Sequence, residues 1–251
     1  MFTRVKTQEE ISAMRESGRM LASVLALLRK QLEPGMTTKD LAEIAAKELK
    51  LLGGEAPFLG YNGFPDVICI SVNEEVVHGI PSIDKVVQNG DIVSLDFGVK
   101  YGDMITDSSI SVIAGKQIAS EDAKLIEATE RSMLAGIGAV HDGVRTGDIG
   151  AAVEAVLKKG NYGIVRDLVG HGVGHELHEG PDVPNYGRAN TGERLSKDMT
   201  IAIEPMATLG SDRVYIAKDG WTILTQDGSR AAHFEHTILI TEDGAEIVTT
   251  L

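Results

Sequence analysis

The pattern of apolar and polar positions predicts four helices that come in two pairs. Helical periodicity covers about residues 7–32, 38–52, 120–141 and 146–159. Thr7 and Glu10 fit a capping box at the start of the first predicted helix. Pro34 ends the first helix, whereas Gly53 and Gly160 close the second and the fourth.

Short apolar runs follow each helix pair and predict strands. They are VICISV, DIVSLDFG and ITDSSISVI after the first pair, and GIVRDLVG, TIAIEP, GWTILT and HTILIT after the second. The order of helix, helix and strands therefore occurs twice. Because no long linker separates the two halves, we expect one compact unit with a central sheet and helices packed on one side.

The two halves also share residues. Residues 35–41 (GMTTKDL) align with residues 143–149 (GVRTGDI), which lie 108 positions later. In this alignment Thr38 and Thr146 occupy equivalent positions, which we interpret as helix N-caps. Capping preferences alone could also produce such a repeat.

The same offset aligns two carboxylates, and this argues against a chance repeat. Asp96 in VSLD falls on Glu204 in IAIE without a gap. We therefore expect two similar halves, roughly residues 1–115 and 116–251, related by a pseudo-two-fold axis. Each half would deliver a strand carboxylate to a shared centre.

Acidic residues interrupt four of the apolar runs. They are Asp96 in VSLDFG, Asp107 in MITDSSI, Glu204 in TIAIEPM and Glu235 in AHFEHTILI. A carboxylate in a half-buried strand is destabilising unless it is paired or bound to metal. One such residue alone is more often an edge or turn residue. Four of them together with His171 predict a metal centre, because divalent cations relieve the mutual repulsion.

The segment VGHGVGHELHEGP places three histidines among alternating glycines. HELH is one residue short of the HExxH pattern of zinc proteases, and Gly172 and Gly174 argue against a helix that would pair His171 with His175. The glycines also lack the spacing of a dinucleotide-binding loop. We interpret the segment as irregular backbone that lets histidine side chains approach a metal and a substrate closely.

The other histidines carry weaker signals. His78 lies in NEEVVHGIP, where a loop histidine is usually a surface residue, but beside a metal centre it would donate a proton or polarise a carbonyl. His141 fits a surface position at a helix end. His233 and His236 flank Glu235, and we expect His236 to orient a ligand.

The donor set favours hard or borderline metals. Four carboxylates and one imidazole suit Mn(II), Fe(II) or Co(II), with Zn(II) tolerated. Two such ions could share bridging carboxylates and hold a hydroxide nucleophile between them. No Gly-x-Ser-x-Gly elbow is present, and Cys69 lies in an apolar run where packing is the simpler role.

Composition narrows the remaining classes. The chain has 251 residues, is 43% hydrophobic and has a formal net charge of −13, so it can form a large core and is unsuited to specific nucleic-acid binding. Its single cysteine excludes an internal disulfide and fits a reducing compartment. No signal peptide or membrane span is visible. We expect a soluble, cytoplasmic protein.

These motifs resemble those of type I methionine aminopeptidases of the bacterial type, which belong to the pita-bread metallopeptidases. The resemblance covers nearly the full length and rests on GYNGFPDVICISVNEEVVHGIP, DIVSLDFGVKYGDMITDSSISV, VGHGVGHELHEGPDVPNYG, MTIAIEPM and KDGWTILTQDGSRAAHFEHT. It implies an α/β (α+β) pita-bread fold, in which two pseudo-two-fold-related halves form a central, mainly antiparallel sheet covered by helices. Residues 1–251 would be a single catalytic domain.

The resemblance also implies a set of metal ligands. They are Asp96, Asp107, His171, Glu204 and Glu235. By this likeness Asp107 and Glu235 bridge two divalent ions, which would be Co, Mn, Fe or Zn. Asp96 serves one ion, and His171 with Glu204 serves the other.

Roles in catalysis and substrate binding follow in the same way. The resemblance implies that His178 polarises the scissile carbonyl, that His78 contacts the leaving amide and that Glu204 also shuttles a proton. Both histidines would then contact the substrate. The methionine pocket would be formed by Tyr61, Phe64, Cys69 and Trp221.

Three positions depart from the family pattern. Phe58 stands where relatives often have Cys, Asn62 replaces a common His, and Leu177 replaces a frequent aromatic residue. These residues could reshape the pocket. The resemblance therefore specifies the ligands more closely than the preference at the second substrate residue.

The resemblance implies removal of N-terminal methionine from peptides and nascent chains, with a preference for a small second residue. A proline aminopeptidase or prolidase is the alternative, because such enzymes share the five ligands. A metal-free binding protein on this fold is a third reading, which the retained ligands oppose. We expect a monomer without nucleic-acid or membrane partners, and a ribosome contact is left open.

Overall fold

The computed structural model describes residues 5–116 and 119–251 and contains the four helices that the sequence predicts. They are α1 (Gln8–Gln31), α2 (Thr38–Leu52), α3 (Ser120–Gly138) and α4 (Thr146–Lys159). A short 3-10 helix covers Tyr61–Gly63. Helix α3 ends three residues before the predicted His141, and the chain then continues through Ala139 and Val140 in tight turns.

The helix ends confirm most of the capping chemistry and correct one part of it. Thr7 Oγ1 accepts from Glu10 N at 3.2 Å, and Glu10 Oε2 accepts from Thr7 N at 2.8 Å. The N-caps of α2 and α4 are Thr37 and Arg145, and not Thr38 and Thr146 as the sequence suggested. The predicted residues are instead the first of each helix.

Equivalent hydrogen bonds recur at the offset read from the sequence. Gly35 N donates to Val87 O at 2.8 Å, and Gly143 N donates to Leu195 O at 2.9 Å. Val87 N in turn donates to Met36 O, as Leu195 N does to the carbonyl of residue 144. Each pair of hydrogen bonds connects the segment before a helix to the segment before a strand. The division into halves near residue 115 remains a prediction.

Fourteen strands form three sheets in the described residues. They are β1 (Cys69–Val72), β2 (Glu75–Val77), β3 (Ile92–Tyr101), β4 (Met104–Ile113), β5 (Gly163–Ile164), β6 (Gly170–Gly172), β7 (Glu179–Val183), β8 (Thr200–Ile203), β9 (Met206–Thr208), β10 (Val214–Ile216), β11 (Ile223–Thr225), β12 (Ala231–His233), β13 (Glu235–Ile240) and β14 (Ala245–Ile247). The large sheet has the order β1-β3-β4-β13-β8-β6-β7, and β14 also pairs with β13. The small sheets are β10-β11-β2 and β12-β9-β5. The run GIVRDLVG yields only β5 and the start of β6, and its middle lies outside any strand.

Strand register puts the helices and the carboxylates on opposite faces of the large sheet. Asp96 pairs with Ser109, and Ser109 pairs with Glu235, so all three side chains point to one face. The alternate residues on the other face pack against helices. Leu95 in β3 belongs to the core with α1 and α2, and Ile238 in β13 to the core with α3 and α4.

No helix in the described part of the chain is long and apolar enough to cross a membrane. The two main hydrophobic cores are built from the helices and one face of the large sheet. The carboxylate face is thereby left available for a functional site.

Candidate active site

Five adjacent strands of the large sheet each supply one polar side chain to the same place. These side chains are Asp96 on β3, Asp107 on β4, Glu235 on β13, Glu204 directly after β8, and His171 on β6. They come from positions up to 139 residues apart in the sequence but from neighbours in the sheet. Sheet topology therefore brings together all five predicted ligands.

The distances within this cluster suit a cation. Ligand atoms of Asp107, His171 and Glu235 all lie within 4.8 Å of one another. His171 Nε2 lies 3.3 Å from Glu204 Oε1. Asp96 and Glu204 line the same cavity.

Burial makes these carboxylates hard to ionise together. Burial raises the pKa of Asp96 to about 7. Burial, followed by the negative charges of Asp96 and Glu204, raises the pKa of Asp107 well above its usual range. The pKa values of Glu204 and Glu235 are raised for the same reasons, with burial first. A bound cation would remove this penalty.

Unpaired oxygens give an independent test of whether these residues fit a metal. Among the described residues, one buried oxygen of each carboxylate has no hydrogen-bond partner: Asp96 Oδ1, Asp107 Oδ1, Glu204 Oε1 and Glu235 Oε1. Buried polar atoms are rarely left unpaired without a ligand, an ion or a water. The donor set therefore fits one or two divalent cations.

Hydrogen bonds around the cluster hold the side chains in place. His171 Nδ1 lies 2.9 Å from Gly172 O, and a proton on Nδ1 leaves the Nε2 lone pair free for a metal. Thr237 Oγ1 accepts from Asp107 N and donates to Asp107 O, which locks β4 to β13. Ser108 Oγ donates to Glu235 O at 2.6 Å. His236, expected to orient a ligand, instead faces Ser108 and Thr249, away from the carboxylates.

A cavity of about 280 Å³ opens onto the cluster and is lined by every predicted pocket residue. Its apolar wall consists of Phe58, Tyr61, Phe64, Cys69, Leu177 and Trp221. Cys69 pairs directly with Asp96 in the sheet, and burial raises the pKa of its thiol well above the usual value. The thiol therefore contributes packing and not a thiolate nucleophile.

The three departures from the family pattern all line this cavity. Phe58 packs tightly against Gly98, where an added Cβ would lie 2.7 Å from the Phe58 ring. Asn62 adopts φ 47°, a left-handed conformation that asparagine tolerates well. Leu177 belongs to the same apolar cluster as Phe58.

Two histidines lie where substrate would meet the cluster. His178 Nδ1 lies 2.8 Å from Tyr61 OH, and its ring centroid is 4.2 Å from that of His171. His78 has φ 59°, a conformation that is uncommon outside glycine. Burial, followed by the charge of His178, lowers the pKa of His78 to about 4, so the ring is neutral at pH 7.

The sequence did not reveal a buried ion-pair network beside His178. Lys6 Nζ, with a fully buried side chain, donates to Glu179 Oε2 at 2.8 Å. Glu179 Oε1 accepts from the backbone N of His175 at 2.6 Å and of Glu176 at 3.2 Å. His175 Nε2 lies 2.5 Å from Glu10 Oε1. No local pattern identifies a contact between residues 6 and 179, which are 173 positions apart.

The sequence profile of metallopeptidase family M24 matches residues 12–242 of the chain. This match covers most of the sequence and includes all five clustered side chains. The chain belongs to metallopeptidase family M24.

Within this family, the similar proteins point to one activity. The chain is 45% identical to methionine aminopeptidase 1 of Bacillus subtilis, over 97% of its own length and 98% of that protein. It is 42% identical to methionine aminopeptidase of Clostridium acetobutylicum over 98% of both chains. The crystal structure of methionine aminopeptidase from Thermotoga maritima matches with a TM-score of 0.97, at 43% identity over 100% of both chains. The predicted pita-bread fold is therefore confirmed.

More distant structures share the fold alone. Prolidase from Pyrococcus furiosus matches with a TM-score of 0.77 at 24% identity, over 98% of this chain and 65% of that one. The antiparallel sheet with its helices is thus common to enzymes of different named activities. Substrate preference must be argued from the cavity.

Proposed function

We propose that the protein is a methionine aminopeptidase that hydrolyses the first peptide bond of peptides and nascent chains that begin with methionine. The full-length similarity to methionine aminopeptidases supports this activity. The observation that favours it within the site is the small apolar cavity that adjoins a carboxylate cluster. At about 280 Å³ it is slightly smaller than most ligand pockets, which span roughly 300–1,000 Å³, and suits one unbranched side chain.

In this proposal Asp96, Asp107, His171, Glu204 and Glu235 hold two divalent cations. Their unpaired buried oxygens support this role. When bound, such ions supply Lewis-acid polarisation and lower the pKa of water so that it can attack near neutral pH. Co, Mn, Fe and Zn are all compatible with these donors.

The protein side chains orient the substrate. The methionine side chain packs against Phe64 and Trp221, which line the cavity and meet edge to face at a centroid distance of 5.2 Å. His178 donates to the scissile carbonyl oxygen from Nε2 because its Nδ1 is engaged by Tyr61 OH. Neutral His78 accepts or donates a hydrogen bond at the leaving amide.

Glu204 is the proton carrier in this scheme. Its carboxylate lies at the end of β8, and burial raises its pKa well above the usual range. With the cations bound this penalty of burial is removed, and the ionised carboxylate can take a proton from the attacking water and release it to the amide nitrogen. Asn185 Nδ2 donates to Glu204 O at 3.0 Å and fixes the backbone there.

Peptide hydrolysis with matched substrates tests the function. Met-Ala-Ser should be cleaved to free methionine, and Ala-Pro peptides should not, with two divalent ions per chain in the same sample. Across Met, norleucine, Leu, Ala and Glu before Ala-Ser, we expect kcat/KM to be greatest for Met and norleucine and lowest for Glu. Preference for Ala-Pro would instead support a proline-type peptidase. A small second residue, a monomeric state and a cytoplasmic location belong to the same proposal.

A further inference from the structure

His233 lies beside the carboxylate cluster and has no assigned role in the proposed mechanism. It ends strand β12, and its side chain is buried. Its Nε2 lies 3.7 Å from Glu204 Oε2, whereas Glu204 Oε1 faces His171 Nε2 at 3.3 Å. The Glu204 carboxylate is therefore flanked by one imidazole at each oxygen.

Neither ring nitrogen of His233 has a hydrogen-bond partner within the described residues. A neutral imidazole carries one N–H donor, and leaving it buried and unpaired is destabilising. The neighbouring His236 differs because its Nδ1 lies 2.8 Å from Thr249 Oγ1. We therefore expect a ring nitrogen of His233 to gain a hydrogen-bond partner when the site binds metal.

The backbone of His233 is held firmly, which fixes where the ring can act. His233 N donates to Ser111 Oγ at 2.8 Å, and Ser111 Oγ donates to His233 O at 2.9 Å. Strand β12 also pairs His233 with Met206, two residues after Glu204. A shift of about 0.7 Å would bring Nε2 and Oε2 to hydrogen-bonding distance.

We propose that His233 is a positioning residue for Glu204: its Nε2–H donates to Glu204 Oε2 and thereby raises the affinity of the site for a divalent cation. The proposal rests on the proposed role of Glu204 as a metal ligand. Outer partners of metal ligands commonly change metal affinity by about 10–100-fold.

The test compares His233→Leu with His233→Gln, and the exposed His141→Leu serves as the control. Co²⁺ affinity is measured by calorimetry, the ligand set by visible absorption, and the stability of the metal-free protein by its Tm.

The leucine variant should bind one Co²⁺ roughly 10–100-fold more weakly. Its metal-free Tm should be unchanged or higher, because it removes an unpaired buried polar group. The glutamine variant keeps a donor and should bind Co²⁺ within about threefold of wild type, with an unchanged spectrum. His233→Asn, whose amide is too short to reach, replaces the leucine variant if that protein does not fold.

Wild-type Co²⁺ affinity in the leucine variant would overturn the proposal. So would equal losses with leucine and glutamine accompanied by a changed spectrum, since His233 would then be a direct ligand. The variant Glu204→Gln distinguishes a failure of the His233 proposal from a failure of the proposed role of Glu204. If that variant binds both ions as wild type does, the proposed role of Glu204 fails. If it loses one ion, adding His233→Leu should cause no further loss, because both substitutions remove the same interaction.

Discussion

The contacts of His178 suit a residue that acts on the substrate and does not bind metal. Its Nδ1 is engaged by Tyr61 OH, whereas His171 has a free Nε2 directed at Glu204. We therefore expect His178→Ala to lower kcat by roughly 10²–10³, the scale of losing one oxyanion donor, with metal content unchanged. Single-turnover kinetics and metal analysis on one sample check this. Loss of metal in the variant would identify His178 as a ligand instead.

Gly98 and Phe58 together set one wall of the pocket. A Cβ at Gly98 would lie 2.7 Å from a Phe58 ring atom and 2.9 Å from Pro57 Cγ. Gly98→Ala should therefore push Phe58 towards the substrate and lower kcat/KM for Met-Ala-Ser by about tenfold, equivalent to about 1.4 kcal/mol. Adding Phe58→Leu should recover most of this loss. If the double variant stays as slow as the single one, the residues do not act through this contact.

At the scale of elements, the N-terminal residues before α1 hold the turn that carries His178. Lys6 pairs with Glu179 in the interior, whereas the Arg15–Glu246 pair on α1 is exposed. Lys6→Met should cost roughly 3–5 kcal/mol of unfolding free energy, because it removes the buried ammonium group that pairs with Glu179 Oε2. Arg15→Met should cost at most about 1 kcal/mol. Urea denaturation of both variants measures the difference, and equal effects would contradict it.

The sequence predicted local structure better than it predicted distant contacts. Capping boxes and αL glycines act over three or four residues, so the start of α1 and the end of α2 could be predicted directly from the sequence. The N-cap of α2 was misplaced by one residue because Thr37 and Thr38 are both good caps. Strands of three residues, such as β2 and β10, carry too little periodicity to be recognised. The Lys6–Glu179 and His233–Glu204 contacts depend on the completed fold.

The metal ligands were predictable for a different reason. A carboxylate in an apolar strand conflicts with burial, and that conflict is visible in the sequence at Asp96, Asp107, Glu204 and Glu235. The sequence could not show that their strands are neighbours, which the order β3-β4-β13-β8-β6 supplies. Family resemblance provided the roles that geometry alone leaves open.

For the whole molecule, the buried carboxylates predict how stability of the metal-free protein depends on pH. The pKa of Asp96 is raised by burial from 3.8 to about 7, so the folded state holds a proton that the unfolded state has lost between these values. Stability from this group is complete below about pH 4 and is lost as pH rises through 7. Buried histidines oppose this trend, because burial lowers the pKa of His171 and His233 to about 3 and the pKa of His78 and His236 to about 4, so their contribution to stability rises with pH up to about 6.5.

The part of the metal-free Tm that depends on Asp96 should therefore fall between pH 5 and 8, and comparison with Asp96→Asn isolates it; saturating Co²⁺ should offset this fall. Metal binding needs deprotonated carboxylates, so Co²⁺ affinity should rise over the same range. Asp96→Asn removes this titrating group and should make the slope of Tm against pH less negative or more positive, whereas Asp103→Asn, which alters an exposed turn carboxylate, should leave the slope unchanged. An equal slope of Tm against pH from 5 to 8 in both variants would mean that Asp96 is already ionised in the folded protein. Repulsion within the cluster would then be relieved by something other than protons or metal.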